Sequence, residues 1–444
     1  MAGAAERTPR TLLEHLLWQQ DRTYEEVAAD FARLADTLGE RATISARHLR
    51  RLAAGHRAGT TPVTRRVLQT MFAEPVGRLL EPWAPEVESV HGTPAAPVSQ
   101  GQLLAPSDER NLLTMAAQRA RRFALIAGQA GVNAEVIDQL HEDVHELAVA
   151  YPQRPVSELL GDLTQVQETI FTLLEQHQRP QHAHQLYFLS SVTGAMLAKA
   201  SHDLAEPQAA MAQARTAFLC AESIEHDGLR AWLRGLQSLV AYWAGRTQEA
   251  VRYAQSGAEF AQRAGSTTAV WLPSSEARAW AALGNAEAAK AAIGRAEEAW
   301  DQIRRDDLDE LGGICTFSRP RQLYYAADTL AWLAGEAVAG ERYSVQAVEA
   351  YADPSAPEWA FGDQAGSHTD LAIARIGRGD LDGAAEAVAP VLNLPVEQRM
   401  NGIIISAQRV HRALAGNDQV SQSPAAAALR EEIEVFVRTP LRLT

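Results

Sequence analysis

Apolar residues near the start of the chain return at helical spacing. Leu12, Leu13, Leu16 and Leu17 form a stripe that predicts a short first helix. Thr23 stands where an N-cap belongs, with Glu26 three residues on to complete a capping box. The helix that follows carries Val27, Phe31, Leu34 and Leu38 on one face and stops at Gly39. After the polar connector 40–43, Ser45 caps a third predicted helix whose inward positions are Leu49, Leu52 and Ala53 and whose stop is Gly55. A fourth helix is expected to open at Pro62, where a missing amide proton costs nothing, and to bury Val63, Val67, Leu68 and either Met71 or Phe72. Val76, Leu79 and Leu80 supply a last turn beyond Pro75.

Residues 1–82 therefore read as one small helical domain. The proline-rich stretch 83–106 reads as a linker. From 107 to 444 the pattern changes to long alanine-rich helices, predicted over 108–128, 133–150, 155–177, 180–200, 207–225, 227–244, 247–263, 269–283 and 286–302. Others are expected over 319–334, 337–350, 364–377, 381–391, 397–414 and 423–437. A short element recurs between them: a glycine, a polar turn, then an alanine five residues after the glycine. It occurs at Gly245–Ala250, Gly284–Ala289 and Gly379–Ala384, with a related turn at Gly335–Gly340. The glycines are 39, 51 and 44 residues apart, so the expected fold class is all-α, an array of helical repeats with a drifting period.

Composition agrees with helix over sheet, and no apolar run reaches the roughly 18 residues of a membrane span. The first ten residues do not lead into an unbroken apolar segment, so no secretory signal is expected. Cys220 and Cys315 are the only cysteines, which fits a reducing, cytoplasmic location. The net charge of -14 argues against nucleic acid until it is divided along the chain. Residues 1–82 hold 12 arginines and 10 acids, whereas the remainder carries -16. Between Ser45 and Arg78 there are seven arginines and one acid, Glu74. A local +6 beside an acidic body is the electrostatic mark of a duplex-binding face, although arginines on a small domain also serve simply as a soluble surface.

The helix after Ser45 suits a groove. Arg47 and Arg50, three residues apart, share a face and are the candidate base-reading pair; Ser45 and His48 lie beside them. Arg51, Arg57, Arg65 and Arg66 are candidates for phosphate contacts that set position without reading sequence.

These segments resemble a known family. Tyr24–Phe31, Ile44–Gly55, Thr61–Leu68 and Phe72–Leu80 are similar to the Xre/Cro-type helix-turn-helix regulators, in the actinobacterial form that carries a C-terminal tetratricopeptide-like region. The resemblance implies an N-terminal helix-turn-helix domain followed by a tetratricopeptide-like α-solenoid. It places Ser45 to Arg51 at the start of the recognition helix. It further implies a transcription regulator, not an enzyme, that binds double-stranded DNA as a homodimer and senses a peptide or small-molecule effector with its array. No cofactor is expected.

Stacked helix pairs expose a concave surface, and the candidate ligand-binding residues on it are Trp232, Tyr242, Trp271, Arg278, Tyr324 and Tyr325. Each aromatic has the plainer reading of a helix-packing residue. A repeat-domain adaptor for another protein is the competing function. A third reading comes from His141-Glu142-Asp-Val-His145, in which two histidines one turn apart bind zinc and Glu142 serves as general base of a hydrolase. That chemistry needs a third ligand, and the extended pattern with a further glycine and histidine is missing. No phosphate-binding glycine loop occurs. The acids Asp306, Asp307, Asp309 and Glu310 read as a solvated turn.

Overall fold

The computed structural model describes residues 9–19, 22–37, 40, 42–55, 62–72, 76–81 and 134–441. The expected linker 83–106, the helix expected over 108–128 and Arg57 lie outside the described residues. The chain divides into two units, Met1–Leu103 and Leu104–Thr444. Every regular element among the described residues is a helix.

The first unit contains α1 (Leu12–Gln19), α2 (Tyr24–Thr37), α3 (Ala46–Ala53), α4 (Pro62–Phe72) and α5 (Val76–Leu79). Its core is the set of stripes read from sequence: Leu13, Leu17, Val27, Phe31, Leu49, Leu52, Val67, Leu68 and Leu79 are all at most 1% exposed. The start of α2 is a reciprocal capping box. The Glu26 amide donates to Thr23 Oγ1 at 3.2 Å, and the Thr23 amide donates to the Glu26 carboxylate at 2.9 Å. Val63, Met71 and Phe72 are only half-buried, so α4 turns inward chiefly through Val67 and Leu68.

The second unit continues with α6 (Ala134–Ala150), α7 (Val156–Leu174), α8 (Pro180–Asp203), α9 (Pro207–Ser223), α10 (Asp227–Trp243), α11 (Thr247–Ala264), α12 (Thr268–Ala282) and α13 (Ala286–Ala299). After the one-turn α14 (Asp307–Glu310) come α15 (Arg319–Ala331), α16 (Ala337–Ala350), α17 (Phe361–Gly377), α18 (Leu381–Leu392), α19 (Asn401–Gly416) and α20 (Pro424–Val437). Two series alternate. Helices α6, α8, α10, α12, α15, α17 and α19 each touch the next in that order, and α19 also returns to touch α8. The intervening helices α7, α9, α11, α13, α16, α18 and α20 pack on this inner series.

The recurring turn has a backbone cause. Gly245, Gly284, Gly335 and Gly379 all adopt positive φ, between 73° and 83°, and each reverses the chain between two packed helices. Glycine takes this left-handed conformation without the Cβ clash other residues meet. After Gly245, Gly284 and Gly379 the alanine five residues on is fully buried, which lets the helices approach closely: Ala250, Ala289 and Ala384 are all 0% exposed, and after Gly335 a buried glycine, Gly340, takes that place. Two further turns use the same conformation without glycine, at Ala205 (φ 64°) and Glu225 (φ 52°). With Gly265 included, left-handed residues fall at 205, 225, 245, 265 and 284. The helical period is therefore close to 20 residues in this stretch, more regular than the glycines alone suggest.

The long interval from Gly284 to Gly335 holds an insertion. Residues 303–318 fold into the inner side of the unit; Asp307 and Glu310 stay exposed and Asp306 half-buried, as a solvated turn would have them, whereas Asp309 is buried. Leu308, Leu311, Cys315 and Phe317 are at most 2% exposed, and Asp309 is 3% exposed. The Asp309 carboxylate earns its burial by accepting from the Thr267 amide at 3.1 Å and from its hydroxyl at 2.5 Å. Gly313 packs so tightly on α6 that a Cβ there would lie 2.0 Å from the Ala148 carbonyl oxygen.

Candidate nucleic-acid interface and central cavity

In the first unit, α3 presents two chemically opposite faces. Leu49, Leu52 and Ala53 are 0% exposed, while Arg47, Arg50 and Arg51 point to solvent. Ser45 caps the helix by accepting from the His48 amide at 3.2 Å, as its position predicts. The far end is anchored by Thr11, whose hydroxyl donates to the Ala53 carbonyl at 2.7 Å. These contacts fix the direction of the arginine face.

The candidate residues are not equivalent. Arg47 and Arg51 make no hydrogen bond or ion pair with any described residue. Arg50 lies over the Tyr24 ring at 5.1 Å and 3.7 Å from the Glu25 carboxylate, so α2 holds it partly in place. His48 is half-buried, with Nε2 shielded and without a partner among the described residues, and turns more toward the domain than its neighbours do. Arg66 departs furthest from the expectation: both Nε (2.9 Å) and a terminal nitrogen (2.5 Å) reach Glu40. A phosphate would have to compete with that carboxylate. Arg65 is exposed on α4.

In the second unit the inner helices surround a cavity. Its volume is about 90 Å³, or about 770 Å³ of empty space when the open mouth and its solvent are counted. Of the candidate ligand residues, Trp232, Trp271 and Tyr325 line it. They are joined by residues the sequence did not single out, chiefly Tyr151, Lys199, Phe317, Phe361 and Asp363. These come from four places along the chain, and no local pattern links them.

Tyr242, Arg278 and Tyr324 do not line the cavity and belong instead to a buried charged cluster. Asp328 of α15 is 1% exposed and sits between Arg278 of α12 and Arg409 of α19, accepting from both guanidinium groups. The Tyr242 hydroxyl donates to the same carboxylate at 2.9 Å and accepts from the Trp332 indole at 2.7 Å. Arg278 also lies over the rings of Tyr325 at 4.1 Å and Tyr242 at 4.4 Å. Burial alone would push the Asp328 carboxyl up. The two arginines outweigh it and hold the pKa down at about 2. Asp370 of α17, 4.0 Å from Arg409, is driven well above the usual carboxylate range by burial and by the neighbouring Asp328 charge. Asp328, Asp370 and Arg409 carried one legible signal: each is a charge on the apolar stripe of its helix.

His141, Glu142 and His145 lie exposed along α6. Among the described residues, no group of three or more histidine, cysteine or acidic side chains could hold a metal ion. No described helix is long and apolar enough to cross a membrane. Compared with known proteins, the chain matches no protein-family model and no curated sequence at a significant level.

Proposed function

We propose that this protein is a sequence-specific DNA-binding transcriptional regulator of the Xre/Cro helix-turn-helix type. In this reading α3 enters the major groove, with Arg47 and Arg50 toward base edges and Arg51 and Arg65 toward phosphates. The observation that carries it is the division of α3 into a fully buried apolar face and an outward arginine face. A planar guanidinium fork suits both guanine edges and phosphate oxygens. The second unit, with 43 acids against 29 bases, would repel a duplex and leave the head as the point of contact. We read that unit as a tetratricopeptide-like array that takes an effector, mediates dimerisation and works in the cytoplasm.

Selection of duplexes from a random library with the full chain tests the reading. Enrichment of a short two-fold symmetric site supports it, and log affinity should fall steeply with log salt. No enrichment, with binding equal for all sequences or absent, would remove the regulator reading and favour a protein adaptor.

A further inference from the structure

The charged groups at the central cavity are paired within its wall. Six aromatic rings stand in its wall among aliphatic and small side chains. Phe317 stacks on Trp271 with centroids 6.1 Å apart and planes 18° apart, and Tyr325 stands edge-on to Phe317 at 5.2 Å. The charged groups cancel inside the wall. Lys199 pairs with the buried Asp203 at 2.5 Å, and Arg321 pairs with Asp363 at 2.6 Å. The second carboxylate oxygen of Asp203 accepts from Tyr151 at 3.0 Å, and the Asp363 oxygen that meets Arg321 also accepts from Tyr351 at 3.1 Å. A charged ligand would shed its water and find the opposite charges already committed, a poor exchange in a shielded site.

Peptides fit no better. Each backbone amide or carbonyl placed against this apolar wall without a partner costs about 1–3 kcal/mol. Size points the same way, since an engineered cavity of roughly 150 Å³ holds one benzene. The inner space here is about 90 Å³, smaller than that, with about 770 Å³ of empty space when the open mouth and its solvent are counted. A flat ring fits with part of it in the mouth, and a bulky ligand does not enter.

We propose that this cavity is a binding site for a neutral, flat, ring-bearing small molecule and that it discriminates against anions and peptides. The proposal specifies the effector in the reading above. It does not depend on α3 binding DNA, and its test contains no DNA, so either can fail alone.

Two probes share one aromatic skeleton: neutral N-phenyl-1-naphthylamine and its sulfonated relative 8-anilino-1-naphthalenesulfonate. Titrated into the full chain and followed by fluorescence, the neutral probe should saturate at one per chain, with the sulfonate at least about tenfold weaker. Leu239→Trp from α10 and Thr316→Trp from the insertion fill the cavity from two sides, and both positions are only half-buried. Each should weaken the neutral probe by about tenfold or more, with its melting temperature serving as the check on folding. Three results would overturn the proposal: equal binding of the sulfonate, unchanged affinity in both filled variants, or no saturable neutral binding up to about 100 μM.

Discussion

Asp328 is the buried carboxylate shared by Arg278 and Arg409 in the second unit, and Asp328→Asn isolates its charge. The substitution keeps the side-chain shape and removes the charge that Arg278 and Arg409 share. Two estimates bracket the loss. Lowering the carboxyl from 3.8 to about 2 corresponds to about 2 kcal/mol of net preference for the ionised form, desolvation included. Removing one partner from a buried pair more commonly costs about 3–5 kcal/mol, because the remaining charges stay buried and unpaired. With an unfolding entropy near 2.1 cal/mol/K per residue, a unit of roughly 300 residues loses about 1.5 °C per kcal/mol. Differential scanning calorimetry at pH 7 should therefore show a melting temperature about 3–8 °C below wild type. The pH dependence has a definite sign. A depressed folded pKa contributes stability that is fully present above the unfolded value and is lost as pH falls toward the folded one. The gap between wild type and Asp328→Asn should thus narrow below about pH 4. Arg409→Met should cost less, since Asp328 keeps Arg278 and Tyr242. A drop smaller than about 1 °C at pH 7 would refute the account of Asp328 as the centre of the cluster.

Asp370 should behave in the opposite sense. Its raised pKa means that stability present below the unfolded value is lost as pH rises, so Asp370→Asn should raise the melting temperature at pH 7.5 and bring no gain near pH 4; destabilisation at pH 7.5 would show that the ionised acid is needed. Ala205→Gly and Glu225→Gly should each stabilise the protein by about 0.5–1 kcal/mol, because both exposed residues relieve a left-handed strain of about 1–2 kcal/mol that exceeds the added chain entropy of glycine. A lower melting temperature for both would contradict this. On the selected DNA site, Arg47→Ala should cost about 1–3 kcal/mol and relax base preference. Arg51→Ala should weaken all sequences alike and reduce the salt slope by about one. Unchanged affinity and preference in Arg47→Ala, measured by fluorescence anisotropy, would show that α3 is not the reading helix.

Local physics determined much of this protein from the chain alone. Helix spacing, caps and stops are short-range properties, so the box at Thr23–Glu26, the Ser45 cap, the core of the first unit and the glycine turns at 245, 284, 335 and 379 could be read from neighbouring residues. The turns at Ala205 and Glu225 escaped notice because strain there is tolerated rather than avoided, and no residue type marks it. Tertiary structure decided what the charges and rings do. Arg278, Asp328 and Arg409 belong to helices far apart in sequence, and only the curvature that returns α19 to α8 gives the inner helices a common centre. That same packing sends Tyr242 to the charged cluster and Trp271 to the cavity, and it buries Asp309, one of the four acids of 306–310 that the sequence assigned to water. Periodicity tells which face of a helix is inward, but the identity of the neighbour across that face depends on contacts many residues away.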